Sequence, residues 1–127
     1  ATSLASPRPG GSNRYLAIFH TDDPVAGEWR PHPVNEAALY IEAAKGTGRN
    51  AGAIVARDGR IFRPMQKSSA FYGEGMAMME IVDLSPTAYR EEPARPPFPL
   101  EDIAGRFGVH HATEAEGVIA WDVRLRY

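Results

Sequence analysis

Ala51-Gly52-Ala53-Ile54-Val55-Ala56-Arg57-Asp58-Gly59-Arg60-Ile61-Phe62 is the stretch that decides the fold class. Apolar residues flank Asp58-Gly59, a dipeptide that readily takes positive φ at both positions, and a two-residue type I′ turn matches the twist of the strands it joins. The hairpin this predicts sets Ala56 opposite Ile61, Val55 opposite Phe62 and Ile54 opposite Arg63. Bulky side chains then fall on both of its faces, so the sheet must be covered on both sides.

Further along, Gly75 to Leu84 has the same character. Met76, Met78, Val82 and Leu84 alternate with Ala77, Met79 and Ile81, which reads as a second strand buried on two faces. On the other side, Tyr15-Leu16-Ala17-Ile18-Phe19-His20 is rich in strand formers and stops at Thr21-Asp22-Asp23-Pro24, a turn. Val118 to Val123 reads as a final strand with Trp121 as a core anchor. Among 127 residues, 12 glycines and 11 prolines lie mostly between these runs and punctuate short strands. The expected class is therefore mainly β and antiparallel, with one or two short helices.

Two segments have helical features. Asn35 to Lys45 offers Asn35 as a cap and Gly46 as a stop, with an irregular loop as the alternative. Leu100, Ile103 and Phe107 are spaced for a short helix with Glu101 and Asp102 in its first turn and Gly108 after it. Between them, Glu91 to Pro99 carries four prolines and is expected to be an extended connector. Residues 1–12, rich in Pro, Gly and Ser, read as a disordered leader to a domain over 13–127.

A formal charge of −2 supplies no basic field to steer the chain to nucleic acid or an anionic membrane. No apolar run reaches the ~18 residues of a membrane helix. With no cysteine, thiolate chemistry is excluded and a reducing, cytoplasmic location is the default expectation. His20, His32, His110 and His111 lack metal-ligand spacing, and adjacent residues of a strand project to opposite faces, so no metal is expected. Ser68-Ser69 lacks the flanking glycines of a nucleophile elbow. Gly46 to Gly52 lacks the Gly-Lys-Ser/Thr ending of a phosphate loop. No cofactor is expected.

The polar residues around the hairpin form the candidate site. Arg49 and Asn50 precede it, Arg63 and Gln66 follow it, and Tyr72 lies beyond. Arg63 precedes a proline and is held extended, which lets Arg63, Gln66 and Arg49 reach one rim at the hairpin's open end. Forked donors, amides and an aromatic plate suit a polyhydroxylated or anionic ligand. The alternative is that Arg49 and Arg63 bond exposed carbonyls at the sheet end. His32, stiffened between Pro31 and Pro33, is either a hydrogen-bonding group of the site or a surface turn histidine. Catalysis would need a carboxylate pair, with Glu74 or Glu80 as acid/base and Asp22, Asp23 or a carboxylate of another chain as its partner. Glu80 interrupts an apolar face, and there an arginine partner is the simpler expectation.

The order Trp29-x-x-His32-Pro33-x-Asn35, Arg49-Asn50-Ala51-Gly52, Asp58-Gly59-Arg60-Ile61-Phe62-Arg63-Pro64-x-Gln66 and Tyr72-Gly73 resembles the final blades of a carbohydrate-associated five-bladed β-propeller family. It includes the propeller domain of glucosamine inositolphosphorylceramide transferase-like proteins and is similar in fold to five-bladed glycoside hydrolases. The match covers Tyr15 to Tyr89, with an echo from Gly108 to Asp122. The resemblance implies about two antiparallel blades of an incomplete propeller. It implies a glycan or sugar-phosphate ligand contacted by Arg49, Arg63, Gln66 and Tyr72, with His32 and Asn50 shaping the rim. Glu36 replaces the family's proline and the stretch from Ala37 to Gly48 is longer, so the nearby loop differs. The hydrolases' acidic residues belong to their first three blades, which have no counterpart here. Binding rather than catalysis is therefore expected, and so is self-association or a partner chain that covers the exposed blade faces.

Overall fold

A computed structural model describes residues 2–3, 15–37, 41–42, 48–67, 73–97 and 106–125. In chain order these form β1 (Thr2–Ser3), β2 (Tyr15–Ala17), β3 (Phe19–His20), β4 (Arg30–Pro31), the one-turn helix α1 (Val34–Ala37) and β5 (Ile41–Glu42). There follow β6 (Val55–Arg57), β7 (Arg60–Lys67), β8 (Gly75–Leu84), β9 (Tyr89–Ala94), β10 (Arg106–Gly108), β11 (Ala112–Ala115), β12 (Val118–Trp121) and β13 (Arg124–Leu125). Every strand pair among the described residues is antiparallel, and the chain is mainly β.

The centre is a four-stranded meander in the order β6-β7-β8-β9. Its first turn is the expected one: Asp58 and Gly59 have φ of 52° and 72°, and Val55 pairs with Phe62 and Ala56 with Ile61. The expected partnership of Ile54 with Arg63 is not formed. The next pairing is Asn50 with Met65, so residues 51–54 stand opposite only 63–64, a bulge that leaves Ile54 half exposed. Ala51 N–H still reaches the Pro64 carbonyl at 3.0 Å and Gln66 N–H the Arg49 carbonyl at 2.9 Å, so residues 49–51 continue the sheet past the bulge.

One face of the meander is covered and the other is covered in part. On one, Val55, Phe62 and Met78 pack with Ala112, Ile119 and Trp121 of the β11–β12 hairpin. That face makes the core. On the other lie Arg63 and, from the N-terminal part, Ile18 and His32, all buried. Strand β8 has the predicted limits but not the predicted faces throughout. Its pairing with β9 slips between Ile81 and Asp83, so Val82 is an inserted residue and Leu84 comes round to the side of Ile81.

Other expectations need correction. Helix α1 has four residues, and Ile41–Glu42 pairs with Tyr15 and Leu16 as strand rather than continuing a helix to Lys45. Asn35 does not cap it. Its amide instead pairs with the Ile18 backbone, accepting from N–H at 3.0 Å and donating to the carbonyl at 2.7 Å, as a neighbouring strand would. Glu91–Ala94 belongs to β9, and Pro93 is tolerated there because β9 is the sheet's edge. Phe107 lies in β10, paired with β13, and the remainder of the expected helix, residues 100–105, lies outside the described residues. Within the expected leader, Thr2–Ser3 pairs with Ala17 and Leu16. The rest of 1–12 lies outside the described residues. None of the described helices is long and apolar enough to cross a membrane.

Candidate functional site

Between the N-terminal strands and the β8–β9 corner lies a cleft of about 440 Å³. Its walls are apolar: Ile18 and Phe19, Ile54 from the bulge, and Ile81 and Leu84 from β8. The polar contributions include His20, Asp22, His32, Arg63 and Tyr89. The bulge aims Ile54 here and the slip after Ile81 aims Leu84 here, so two sheet irregularities build the walls.

Arg63 is the anchor of the polar floor. Its side chain is 1% exposed, and that of Glu91 is 4% exposed. The guanidinium grips the carboxylate at both ends, Nε to Oε2 at 2.8 Å and Nη2 to Oε1 at 2.7 Å. Nη1 donates to Asn50 Oδ1 at 3.0 Å. The Tyr89 hydroxyl donates to Glu91 Oε2 at 2.7 Å. Two charges removed from water are tolerable when the geometry is bidentate and the remaining lone pairs are satisfied, and both conditions hold. Burial pulls the Arg63 pKa down, but the hydrogen bonds and charge of Glu91, with Tyr89, outweigh it and the net shift is upward. Burial, then the neighbouring Glu91 carboxylate, pushes the Tyr89 hydroxyl well above its ordinary value of 10.0. Arg63 is charged and Tyr89 protonated throughout the physiological range.

His32 joins two distant parts of the chain. Its Nδ1 accepts the Val34 N–H at 3.1 Å, which places the ring proton on Nε2, and Nε2–H donates to the Ser85 carbonyl at 2.8 Å. The side chain is buried, with His20 edge-on to it at 6.2 Å between ring centroids. The β8–β9 corner is thereby tied to the segment after β4.

The residues singled out in the sequence divide accordingly. His32, Asn50 and Arg63 are brought to one side of the meander. Gln66 is not with them: three residues from Arg63 on a regular strand, it belongs to the opposite face, where its Oε1 is buried without a hydrogen-bond partner among the described residues. The shared rim expected of Arg63 and Gln66 is therefore not formed. Arg49 contributes its carbonyl to the Gln66 N–H and is half-buried. Tyr72 lies outside the described residues. Glu80 is clamped by Arg60, Nε to Oε1 at 2.8 Å and Nη2 to Oε2, while the guanidinium sits 4.9 Å from the Phe62 ring centroid. The hydrogen bond from Arg60 holds the Glu80 carboxyl below the usual range, the reverse of what a general acid needs. Glu74 stands beside β10, its carbonyl close to Gly108. Asp22 pairs with Arg30 at 3.2 Å on the cleft's outer edge. Among the described residues no three His, Asp or Glu gather as a metal site.

Glu91 and Tyr89 carry little signal of their role in the sequence because they adjoin the prolines at 93–99. Tyr89-x-Glu91 nevertheless has the period-two spacing of a strand presenting polar groups to one face. Comparison with protein-family models, with curated proteins and with solved structures finds no match to this chain.

Proposed function

We propose that this chain is a non-catalytic carbohydrate-handling module of propeller type, and that the Ile18–Leu84–Tyr89 cleft receives the sugar. The observation that carries this reading is the cleft itself, which joins aliphatic and aromatic walls to a fixed polar floor. Its volume of about 440 Å³ falls within the ~300–1,000 Å³ of small-molecule sites. A sugar offers apolar C–H faces and a rim of hydroxyls, and such a cleft matches both. The Arg63–Glu91–Tyr89 network holds the floor before any ligand arrives, which lowers the ordering cost of binding. Four consecutive strands in an antiparallel meander, with bulky residues on both faces, also have the form of a propeller blade. Glu80, neutralised by Arg60, favours binding over acid/base chemistry.

Calorimetric titration with glucosamine, glucuronate, inositol phosphate and neutral disaccharides tests this reading. At least one is expected to bind saturably, and Leu84→Trp, which fills the cleft from a half-exposed position, is expected to weaken it at least tenfold with the circular dichroism unchanged. No binding by any of them, or binding indifferent to Leu84→Trp, overturns it. The apolar rim favours a second reading. Ile54 at 50%, Leu84 at 56% and Ile61 at 36% exposure would suit burial against a further chain. Concentration-dependent association in sedimentation, abolished by Leu84→Asp, supports that reading, and a monomer at all concentrations sinks it.

A further inference from the structure

Most polar side chains of the cleft are engaged within the fold and have little left to give a ligand. Arg63 directs Nε and Nη2 to Glu91 and Nη1 to Asn50. Tyr89 donates its hydroxyl proton to Glu91, and both ring nitrogens of His32 are occupied, by the Val34 N–H and the Ser85 carbonyl. The Thr21 hydroxyl donates to the Asp23 carbonyl at 3.0 Å, and Ser85 Oγ accepts the Ala88 N–H at 3.0 Å. Asp22 faces Arg30. Among the described residues that line the cleft, the polar side chain without a hydrogen bond is His20.

His20 ends β3, opposite Arg30 of β4, and its half-buried ring packs edge-to-face with His32, the planes 80° apart. Because His32 is held at both nitrogens, it gives the His20 ring a fixed surface to rest on. A neutral imidazole carries one N–H and one lone pair. A hydroxyl both donates and accepts, so it satisfies the ring in either tautomer. Charge narrows the ligand further. The Arg63 cation is matched by Glu91 at 2.7 Å, and Asp22 stands in water at the mouth with a side chain 97% exposed. Among the described residues of the cleft no unopposed cation is left to receive a phosphate or carboxylate, while the apolar walls would strip water from it.

On the reading that this cleft receives a sugar, we infer that the sugar is neutral rather than anionic and that His20 is its specificity-determining contact, the ring bonding a ligand hydroxyl. Apolar walls around one unpartnered imidazole select neutral hexose units over uronates and sugar phosphates, because an anionic ligand loses its water without gaining a counter-charge. The Arg63–Glu91 pair shapes the floor but does not read the ligand's charge.

The test is a calorimetric titration of the full chain at neutral pH with maltose, cellobiose, glucuronate and inositol phosphate, with the histidine imidazole resonances followed by NMR. Maltose or cellobiose is expected to bind at least tenfold more tightly than either anion, with a saturable shift at His20 and none at His110 or His111, which do not line the cleft. His20→Phe keeps a ring and removes both nitrogens, so it should weaken binding at least tenfold with the circular dichroism unchanged. His20→Gln, which retains a donor and an acceptor, should recover most of that affinity. The shift at His20 in the parent keeps the test open if the phenylalanine variant does not fold. An anion binding within tenfold of the better neutral sugar, a His20 resonance unmoved at saturation, or binding that Leu84→Trp weakens and His20→Phe does not, overturns the inference and leaves the cleft a sugar site. No binding by any of the four, or binding indifferent to Leu84→Trp, overturns the sugar reading and the role of His20 with it.

Discussion

Glu91→Ala is expected to destabilise the fold by roughly 3–5 kcal/mol, because it strips a bidentate partner from a buried guanidinium and leaves the charge uncompensated. The side chains involved are 1% and 4% exposed, so water cannot take over the lost bonds without the sheet face opening. Against a total stability of about 5–15 kcal/mol for an ordinary domain, that is a large fraction, and the thermal midpoint should fall by roughly ten degrees or more. Arg63→Met combined with Glu91→Leu should lose much less than the two single changes together, since it removes both charges and keeps the volume. Urea unfolding of the parent, Arg63→Met, Glu91→Leu and the double change gives the coupling directly. A midpoint within a degree or so of the parent for Glu91→Ala would show that the pair does not hold the meander's cleft face.

Tyr89 adds a pH signature to the same network. Its hydroxyl is held protonated in the folded protein above its ordinary value of 10.0. A group whose pKa is raised by folding contributes its full stabilisation below the unfolded value and loses it as the pH climbs toward the folded one. The advantage of the parent over Tyr89→Phe should therefore be constant below pH 10.0 and shrink above it. Stability curves of the two proteins at neutral and alkaline pH check the sign.

What the sequence makes legible are the features encoded within a few residues. Asp58-Gly59 specifies its turn through local backbone preference alone, and the limits of β8 follow from an apolar run broken only by Glu80 and Asp83. Trp121 on the core and an arginine partner for Glu80 also follow from short-range rules of burial and charge. The site was less legible because its bonds span long stretches of chain. Arg63 meets Glu91 across 28 residues, and the His32 ring reaches the Ser85 carbonyl across 53. No local pattern states that Arg63 faces inward to a carboxylate rather than outward to a ligand. Proline density at 93–99 obscured β9, since a proline that would break a central strand is harmless on an edge. Both irregularities that shape the cleft, at 51–54 and at Val82, depend on which partner strand arrives, and alternation along one strand cannot report that.

Gly52→Ala is expected to be more disruptive than its single added methyl suggests. Gly52 sits in the bulge with φ of 148°, and a Cβ there would lie 1.7 Å from the Ala112 carbonyl oxygen and 2.9 Å from its carbon. Those atoms are backbone, so no side-chain rotation relieves the overlap. The neighbouring Ala51 and Ala112 are 0% exposed and joined by the Ala112 N–H to Ala51 carbonyl bond of 2.8 Å. Alanine must therefore either flatten the bulge or lift residue 112 off the sheet, and lifting it withdraws the hairpin that carries Ile119 and Trp121 against the core. Strain and lost packing together should exceed roughly 2–3 kcal/mol. Gly59→Ala is the control, because it also places alanine at positive φ but meets nothing within 4 Å among the described residues. Left-handed strain alone, about 1–2 kcal/mol, is then the whole cost. Denaturant unfolding should rank Gly52→Ala well below Gly59→Ala, with Trp121 emission shifted to the red only in the former. If both lose the same stability, the close approach of Gly52 to Ala112 does not hold the hairpin in place.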